Sequence, residues 1–136
     1  MIKTETLGML NIAKINPVLT SSEDVKNYTF VTDSGVLYLV ANTATGDDAY
    51  KDDITFKAGT LLNGFQVDAW AGQKLVIDEK HIDISAALKV GNVLVVNSDG
   101  RLEYASSAPA KGVYFIVTDL GVSLTGKAIK ARVCVA

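Results

Sequence analysis

Apolar residues occur along this chain in short runs of strand length, separated by polar residues and single glycines. Two pairs of runs are each joined by four residues that end in glycine, Thr32-Asp33-Ser34-Gly35 and Asn97-Ser98-Asp99-Gly100. Glycine supplies the positive φ that a tight turn between antiparallel strands requires. The pattern therefore predicts two β-hairpins, one pairing residues 28–31 with 36–41 and the other pairing residues 93–96 with 101–104.

The remaining apolar runs also have strand length, and Val, Ile and Thr, whose branched Cβ favours strands, are abundant. Strands are predicted at 54–56, 60–62, 65–67, 74–77, 112–117 and 128–135. Asn63-Gly64 is expected to break the second from the third. Asp83 can cap one helical turn over 83–88, and the polar residues 42–53 are expected to form a loop. The fold class predicted from this pattern is all-β.

One weak internal repeat is present. Residues 56–62 and 88–94 share the order apolar, Lys, apolar, Gly, any residue, apolar, Leu. In each copy the pattern predicts an apolar residue, then a turn at the glycine, then a strand. Two copies are too few for a solenoid. Either one turn chemistry is used twice in a single barrel, or two related β lobes pack together.

Composition narrows the class of protein. The chain has 136 residues, 49% of them hydrophobic, and 13 Lys and Arg against 15 Asp and Glu give a net charge of −2. The length fits a single domain, the hydrophobic content argues against disorder, and the charge argues against a nucleic-acid partner. No apolar run approaches the ~20 residues of a membrane helix. The first residues lack a signal-peptide core, so we expect synthesis in a reducing cytoplasm.

Candidate catalytic residues are few. His81 lies near the carboxylates of Asp78, Glu79 and Asp83, which makes a general base conceivable, but a structural histidine is the simpler interpretation. The single cysteine, Cys134, excludes an internal disulfide and a multi-cysteine zinc site and is expected inside a strand. The chain contains no Gly-x-Ser-x-Gly elbow and no glycine-rich phosphate loop. We therefore expect no enzymatic activity, no catalytic residue, no cofactor and no bound metal.

Two features favour binding. The acidic segment 47–53 offers carboxylates of the kind that Ca²⁺ prefers, although Lys51 interrupts it and the spacing is not that of an EF-hand. A solvated loop is the alternative. Trp70 lies in a predicted turn, where it can act as an interface anchor. Exposed Tyr50 and Trp70 beside the acidic loop form a conceivable carbohydrate or ligand site.

The second half of the chain carries a resemblance. Leu88-Lys-Val-Gly-Asn-Val-Leu-Val-Val-Asn-Ser-Asp-Gly-Arg-Leu-Glu-Tyr-Ala is followed by a loop of small residues, then Gly112-Val-Tyr-Phe-Ile-Val and a final strand. This order resembles the capsid decoration and head-fibre-type proteins of tailed bacteriophages. The first copy of the repeat and the following Gly72-Gln-Lys-Leu-Val-Ile resemble these proteins in the same way. The resemblance covers residues 54–136.

The resemblance implies a small β-barrel or β-tulip-like domain of short antiparallel strands, at residues 21–136. Residues 1–20 are then either an N-terminal arm, ordered on the shell and able to add as a strand to a capsid edge, or simply the first strand. The implied location is the capsid exterior, the implied partner is the major capsid protein of a phage head, and self-association as a trimer is an option. We expect partner contacts at Ile12, Ile15, Tyr50 and Trp70. Alternatives are a tail, head–tail or fibre-anchoring component, or a small carbohydrate- or ligand-binding β domain.

Overall fold

Short strands account for most of the described chain, as the alternation of apolar runs and turns predicts. The computed structural model describes residues 2–5, 12–41, 54–84, 87–122 and 127–136. Within these residues the strands are β1 (Ile2–Thr4), β2 (Ile15–Leu19), β3 (Val25–Lys26), β4 (Phe30–Asp33), β5 (Val36–Val40), β6 (Thr55–Phe56), β7 (Leu62–Gln66), β8 (Lys74–Asp78), β9 (Ile82–Asp83), β10 (Val93–Val96), β11 (Leu102–Ala105), β12 (Val113–Leu120) and β13 (Ala128–Val135). Two 3-10 helices occupy Val67–Trp70 and Glu79–His81.

The larger sheet has seven strands in the order β1-β8-β13-β12-β10-β11-β9. Its pairings are antiparallel except that between β9 and β11. Strand β8 lies between the first and last described strands, so that Ile2, Ile77 and Ile129 occupy neighbouring positions across three strands. All three are at most 3% exposed. The first and last described strands are thus joined through one central strand.

A four-stranded sheet, β2-β7-β5-β4, forms a middle layer with apolar residues on both faces. Leu39 and Phe65 are paired and face the main core over the seven-stranded sheet. On the other face, Val40 and Leu62 pack into a second cluster with Val25 of the two-stranded β3–β6 ladder. Because successive strand residues point to opposite faces, this one sheet contributes side chains both to the main core and to the second cluster.

The hairpin predictions are confirmed. Strands β4 and β5 are joined by Ser34 and Gly35, whose φ values of 51° and 79° are the two positive values of a two-residue hairpin turn. Strands β10 and β11 pair around the turn that ends at Gly100. The all-β class is also confirmed, but the described strands form open sheets and no closed barrel.

One predicted strand break is wrong. Asn63-Gly64 interrupts nothing, because β7 runs through both residues as a single strand. A Cβ at Gly64 would lie 2.6 Å from Leu19 Cδ2 and 3.1 Å from Tyr38 Cβ. The glycine lets neighbouring side chains approach the sheet rather than turning the chain.

The helical turn predicted over 83–88 is not found in its described part. Asp83 belongs to β9, and Ile84, Ala87 and Leu88 have no helical assignment. Residues 85–86 lie outside the described part. Asp83 is held extended by the parallel pairing of β9 with β11, which competes with a local capping role.

The internal repeat forms the same turn twice. Thr60 N–H donates to the Lys57 carbonyl at 3.0 Å, and Asn92 N–H donates to the Lys89 carbonyl at 3.1 Å. The glycine in each turn has a positive φ, 82° in the first copy and 92° in the second. The strands that follow belong to different sheets, β7 to the four-stranded and β10 to the seven-stranded one.

Two strands of the fold lie among the described residues of the first twenty. Strand β1 pairs with β8, and its Ile2 belongs to the main core. Strand β2 pairs with β7 and contributes Leu19 to the second cluster. A search of the described residues for a helix long and apolar enough to cross a membrane finds none.

Candidate functional site

Trp70 belongs to the core, so the expectation of an exposed interface anchor at this position is wrong. Its side chain is 2% exposed and stacks on Phe65, with the ring centroids 5.6 Å apart. The turn predicted from the sequence does exist, because Gln73 N–H donates to the Trp70 carbonyl at 2.9 Å. However, the indole is at the turn's first position and points inward. An aromatic ligand platform at Trp70 is therefore ruled out in this fold.

The structure describes two of the other three predicted contact residues. Ile12 and Ile15 are exposed, at 47% and 53%. Tyr50 and the acidic segment 47–53 lie outside the described residues, so the calcium and ligand hypotheses built on them stay predictions. Among the described residues, no group of three or more His, Cys, Asp or Glu side chains is placed to hold a metal ion.

An apolar strip lies along the β2 edge of the four-stranded sheet. Ile15 is paired with Phe65 and therefore shares its face. Val18 and Leu61 each adjoin one member of the paired Leu19 and Leu62 but do not join these two residues in the second cluster. Val18 is 65% and Leu61 62% exposed. We call Ile15, Val18 and Leu61 the β2 strip.

The β2 strip lies on a strand whose outer edge resists pairing. The register between β2 and β7 shifts between Asn16 and Leu19, and Val18 N–H donates to Asn16 Oδ1 at 3.2 Å inside this bulge. Pro17 removes one backbone donor. Bulges and proline are the means by which sheet edges avoid adding another strand. The strip is thus suited to contact through side chains rather than through the main chain.

A polar cleft of about 730 Å³ lies where the outer edge of β4 separates from the β10–β11 turn. Its lining residues fall into three groups, which we call the first wall (Ser21 and 23–27), the second wall (98–101 with Lys80 and His81) and the floor (Phe30, Val31 and Thr32). The two sheets are tied at one end of the cleft, where Phe30 N–H donates to the Gly100 carbonyl at 2.9 Å. We call this region the β4 cleft.

Tyr28 closes the inner end of the β4 cleft with a backbone conformation rare for a bulky residue. Its φ is 61°. Tyr28 N–H donates to the Val40 carbonyl at 2.8 Å, and Val40 N–H donates to the Thr29 carbonyl at 2.9 Å, so two residues oppose one in a β-bulge. The tyrosine ring meets the His81 ring edge-on at 5.7 Å, and both side chains are at most 9% exposed. His81 is thus a largely buried packing partner that lines the cleft.

Arg101 is fixed at the mouth of the β4 cleft by several hydrogen bonds. Its Nε donates to Asp83 Oδ1 at 2.7 Å, and its Nη2 donates to the Lys80 carbonyl. Asn97 Nδ2 donates to the other Asp83 oxygen at 2.9 Å. The hydrogen bonds from Arg101 and then Asn97 hold the pKa of the Asp83 carboxyl below its ordinary value of 3.8.

A second charged group lies on the seven-stranded sheet. Lys74 Nζ is 3.4 Å from Asp119 Oδ2, and Lys130 Nζ is 3.5 Å from Glu5 Oε1. The hydroxyl of Thr118, followed by Lys74, lowers the pKa of Asp119. These pairs are partly exposed, so each contributes little to stability.

The β4 cleft was not predicted from the sequence. The Asn97–Gly100 turn was recognised only as a hairpin, and nothing in the sequence marks Tyr28 as left-handed, because bulges of this kind usually hold glycine. The cleft brings together residues far apart in sequence, such as Asp24, Thr32 and Arg101. Long-range pairing of two sheets creates it, and local patterns carry no signal for that.

Comparison with known proteins identifies no relative. No protein-family model matches this chain, and neither a curated protein nor a solved structure matches it significantly.

Proposed function

We propose that this protein is a non-enzymatic structural protein of a tailed-bacteriophage virion, which binds the outer surface of the head and stabilises it. The β2 strip is the single observation that carries the proposal. Its three side chains, Ile15, Val18 and Leu61, are each more than half exposed along the pairing of β2 with β7. A cluster of exposed apolar side chains is typical of a surface that contacts another protein.

The resemblance over residues 54–136 supplies the identity of the partner, the major capsid protein. Stabilisation follows from mass action, because a protein that binds the assembled shell but not its free subunits shifts the equilibrium toward the shell. Many copies, each bound weakly, add their effects by bridging neighbouring capsid subunits. Self-association, for example as a trimer, multiplies the number of strips presented to the lattice.

The mode of contact that we propose differs from strand addition by a free arm. Residues 15–19 are engaged with β7, and Pro17 and the bulge protect the outer edge of β2. The strip is therefore proposed to dock its side chains into an apolar depression of the capsid. A tail, head–tail or fibre-anchoring component is the alternative within the same class, and it would use the strip in the same way.

The test is co-sedimentation with empty, expanded heads of the phage that encodes the chain. The expected result is saturable binding at a fixed number of copies per head. Val18→Asp places a charge in the strip and should lower the affinity at least about tenfold, since burying an unpaired charge is costly. Val90→Asp is the matched control, because Val90 is 62% exposed on a distant turn.

Two outcomes would count against the proposal in different ways. If the heads do not bind the protein at all, decoration is wrong and the tail or fibre alternative is next. If Val18→Asp binds as well as Val90→Asp, the protein decorates heads through another surface and the β2 strip has no part in it.

A further inference from the structure

We propose that the β4 cleft binds an extended polypeptide segment, which adds to the outer edge of β4 as a fifth strand. This inference does not rest on the capsid proposal, because it concerns the opposite edge of the four-stranded sheet. The β2 edge carries the apolar strip, whereas the β4 edge forms the floor of a polar cleft.

The hairpin register shows which backbone groups of β4 face the cleft. Asp33 and Val36 flank a two-residue turn and form the first hydrogen-bonded pair, so Val31 and Tyr38 form the next. The backbone N–H and C=O groups of Phe30 and Thr32 therefore point away from β5. Phe30 demonstrates this directly, because its N–H donates outward to the Gly100 carbonyl.

Gly100 occupies the place where a fifth strand would begin. Its carbonyl accepts from Phe30 at 2.9 Å, the kind of contact that a neighbouring strand makes. A Cβ at Gly100 would lie 2.4 Å from the Phe30 carbonyl oxygen, so only glycine allows this approach. Thr32, two residues further along β4, is exposed and also lines the cleft. No other strand of the described chain lies beyond β4.

An extended chain fits this edge better than a second folded copy does. The edge lines the same cleft as residues of both walls, so an approaching chain meets side chains on either side of β4, and a single strand needs less room there than the edge of a whole sheet. The main chain of such a strand offers a donor and an acceptor to the outward C=O and N–H of Thr32. The walls carry charges of both signs, Lys26 and Glu23 on the first and Asp99 on the second. Side chains of a mixed polar peptide therefore find partners on both sides.

The bulge at Tyr28 helps to form the cleft. It ends the pairing of β4 with β5 and turns the chain into the segment 21–27, which becomes the first wall. Contact between the Tyr28 and His81 rings ties this wall to the opposite one. The left-handed tyrosine is thus a positioning residue for the cleft and makes no contact that the peptide itself requires.

The experiment is a selection of displayed random seven-residue peptides on the full chain, followed by affinity measurements with the synthetic peptides recovered. Thr32→Pro removes the outward N–H, which β5 does not use, and proline is tolerated on an edge strand. It should lower the affinity about tenfold, the effect expected for one main-chain hydrogen bond. Thr32→Val keeps the N–H and is the matched control, with affinity expected near that of the unchanged chain.

A second measurement keeps the test valid if Thr32→Pro fails to fold. N-methylation of the peptide at successive amides should abolish binding at alternate positions only, because a β-strand directs every second amide to its neighbour. Recovery of no binding peptide, equal binding by Thr32→Pro and Thr32→Val, or no alternation in the N-methylated series would each overturn the proposal. Binding that is lost in Val18→Asp but kept in Thr32→Pro would overturn it as well, since the peptide then occupies the β2 strip.

Discussion

Tyr28 lies opposite Val40 in a β-bulge and adopts a left-handed φ of 61°, where glycine is the usual residue. The tyrosine is held there by the N–H···O bond to Val40 and by its ring contact with His81. A bulky residue in this region costs free energy, and such strain often marks a functional position. The same relationship yields a measurable stability difference.

Tyr28→Gly should be more stable than Tyr28→Ala by about 1 kcal/mol, because both lose the ring but only alanine retains the left-handed penalty. At an ordinary strand position the order is the reverse, since glycine is destabilising there. Urea unfolding of both variants measures the difference. An alanine variant as stable as the glycine variant would show that the bulge relaxes once the ring is gone.

Gly64→Ala should destabilise the protein by about 1–3 kcal/mol through overpacking. The added Cβ meets Leu19 Cδ2 at 2.6 Å, and Leu19 is 1% exposed with little room to move. In a Leu19→Ala background the cost should fall by about 1 kcal/mol or more, which a double-mutant cycle measures. Gly59→Ala is the control, because its φ is 82° and nothing lies within 4 Å. Its cost should be the same in both backgrounds.

Lowering the pH should reduce the free energy of unfolding, partly through Asp83. The pKa of Asp83 in the folded protein lies below 3.8. The stabilisation that the ionised Asp83 carboxylate provides is therefore fully present above its unfolded pKa, and it is lost as the pH falls through its folded pKa. Asp83→Asn should therefore flatten the dependence of the unfolding free energy on pH below about pH 4. Arg101→Gln should flatten it too, since Arg101 is the main cause of the shift. If the unfolding free energy of both variants changes with pH as steeply as that of the unchanged chain, Asp83 is not a source of the acid sensitivity.

Trp70 is the only tryptophan, so its burial can be measured directly. At 2% exposure its fluorescence should be blue-shifted and weakly quenched by acrylamide in the native protein. In urea the emission should shift to the red and the quenching should approach that of free N-acetyltryptophanamide. Strong quenching of the native protein would contradict the core position and restore Trp70 as a surface anchor.

The hairpins could be predicted from sequence because their geometry is local. Gly35 and Gly100 each mark a turn between adjacent runs, and the structure places a turn at both. The same reasoning failed at Gly64, where glycine is required by two side chains that come from elsewhere in the chain. A glycine that turns the chain and a glycine that admits a neighbour have the same sequence signature.

Long-range relationships could not be predicted. The burial of Trp70 depends on its stacking against Phe65 and on the main core, not on the turn in which it lies. The β4 cleft depends on the approach of Gly100 to Phe30, which lie in different sheets. Of the predicted contact residues, Ile15 is exposed on the edge strand β2, and Ile12 is exposed ahead of that strand. Edge position is a property of the assembled sheet.

The position of β8 has a consequence for synthesis. It is flanked by β1 on one side and by β13, residues 128–135, on the other. During translation β1 and β8 emerge long before β13, so one edge of β8 remains without its neighbour until the last described strand has left the ribosome. Nascent chains that stall earlier would expose an edge bearing Leu75 and Ile77, a template for aggregation.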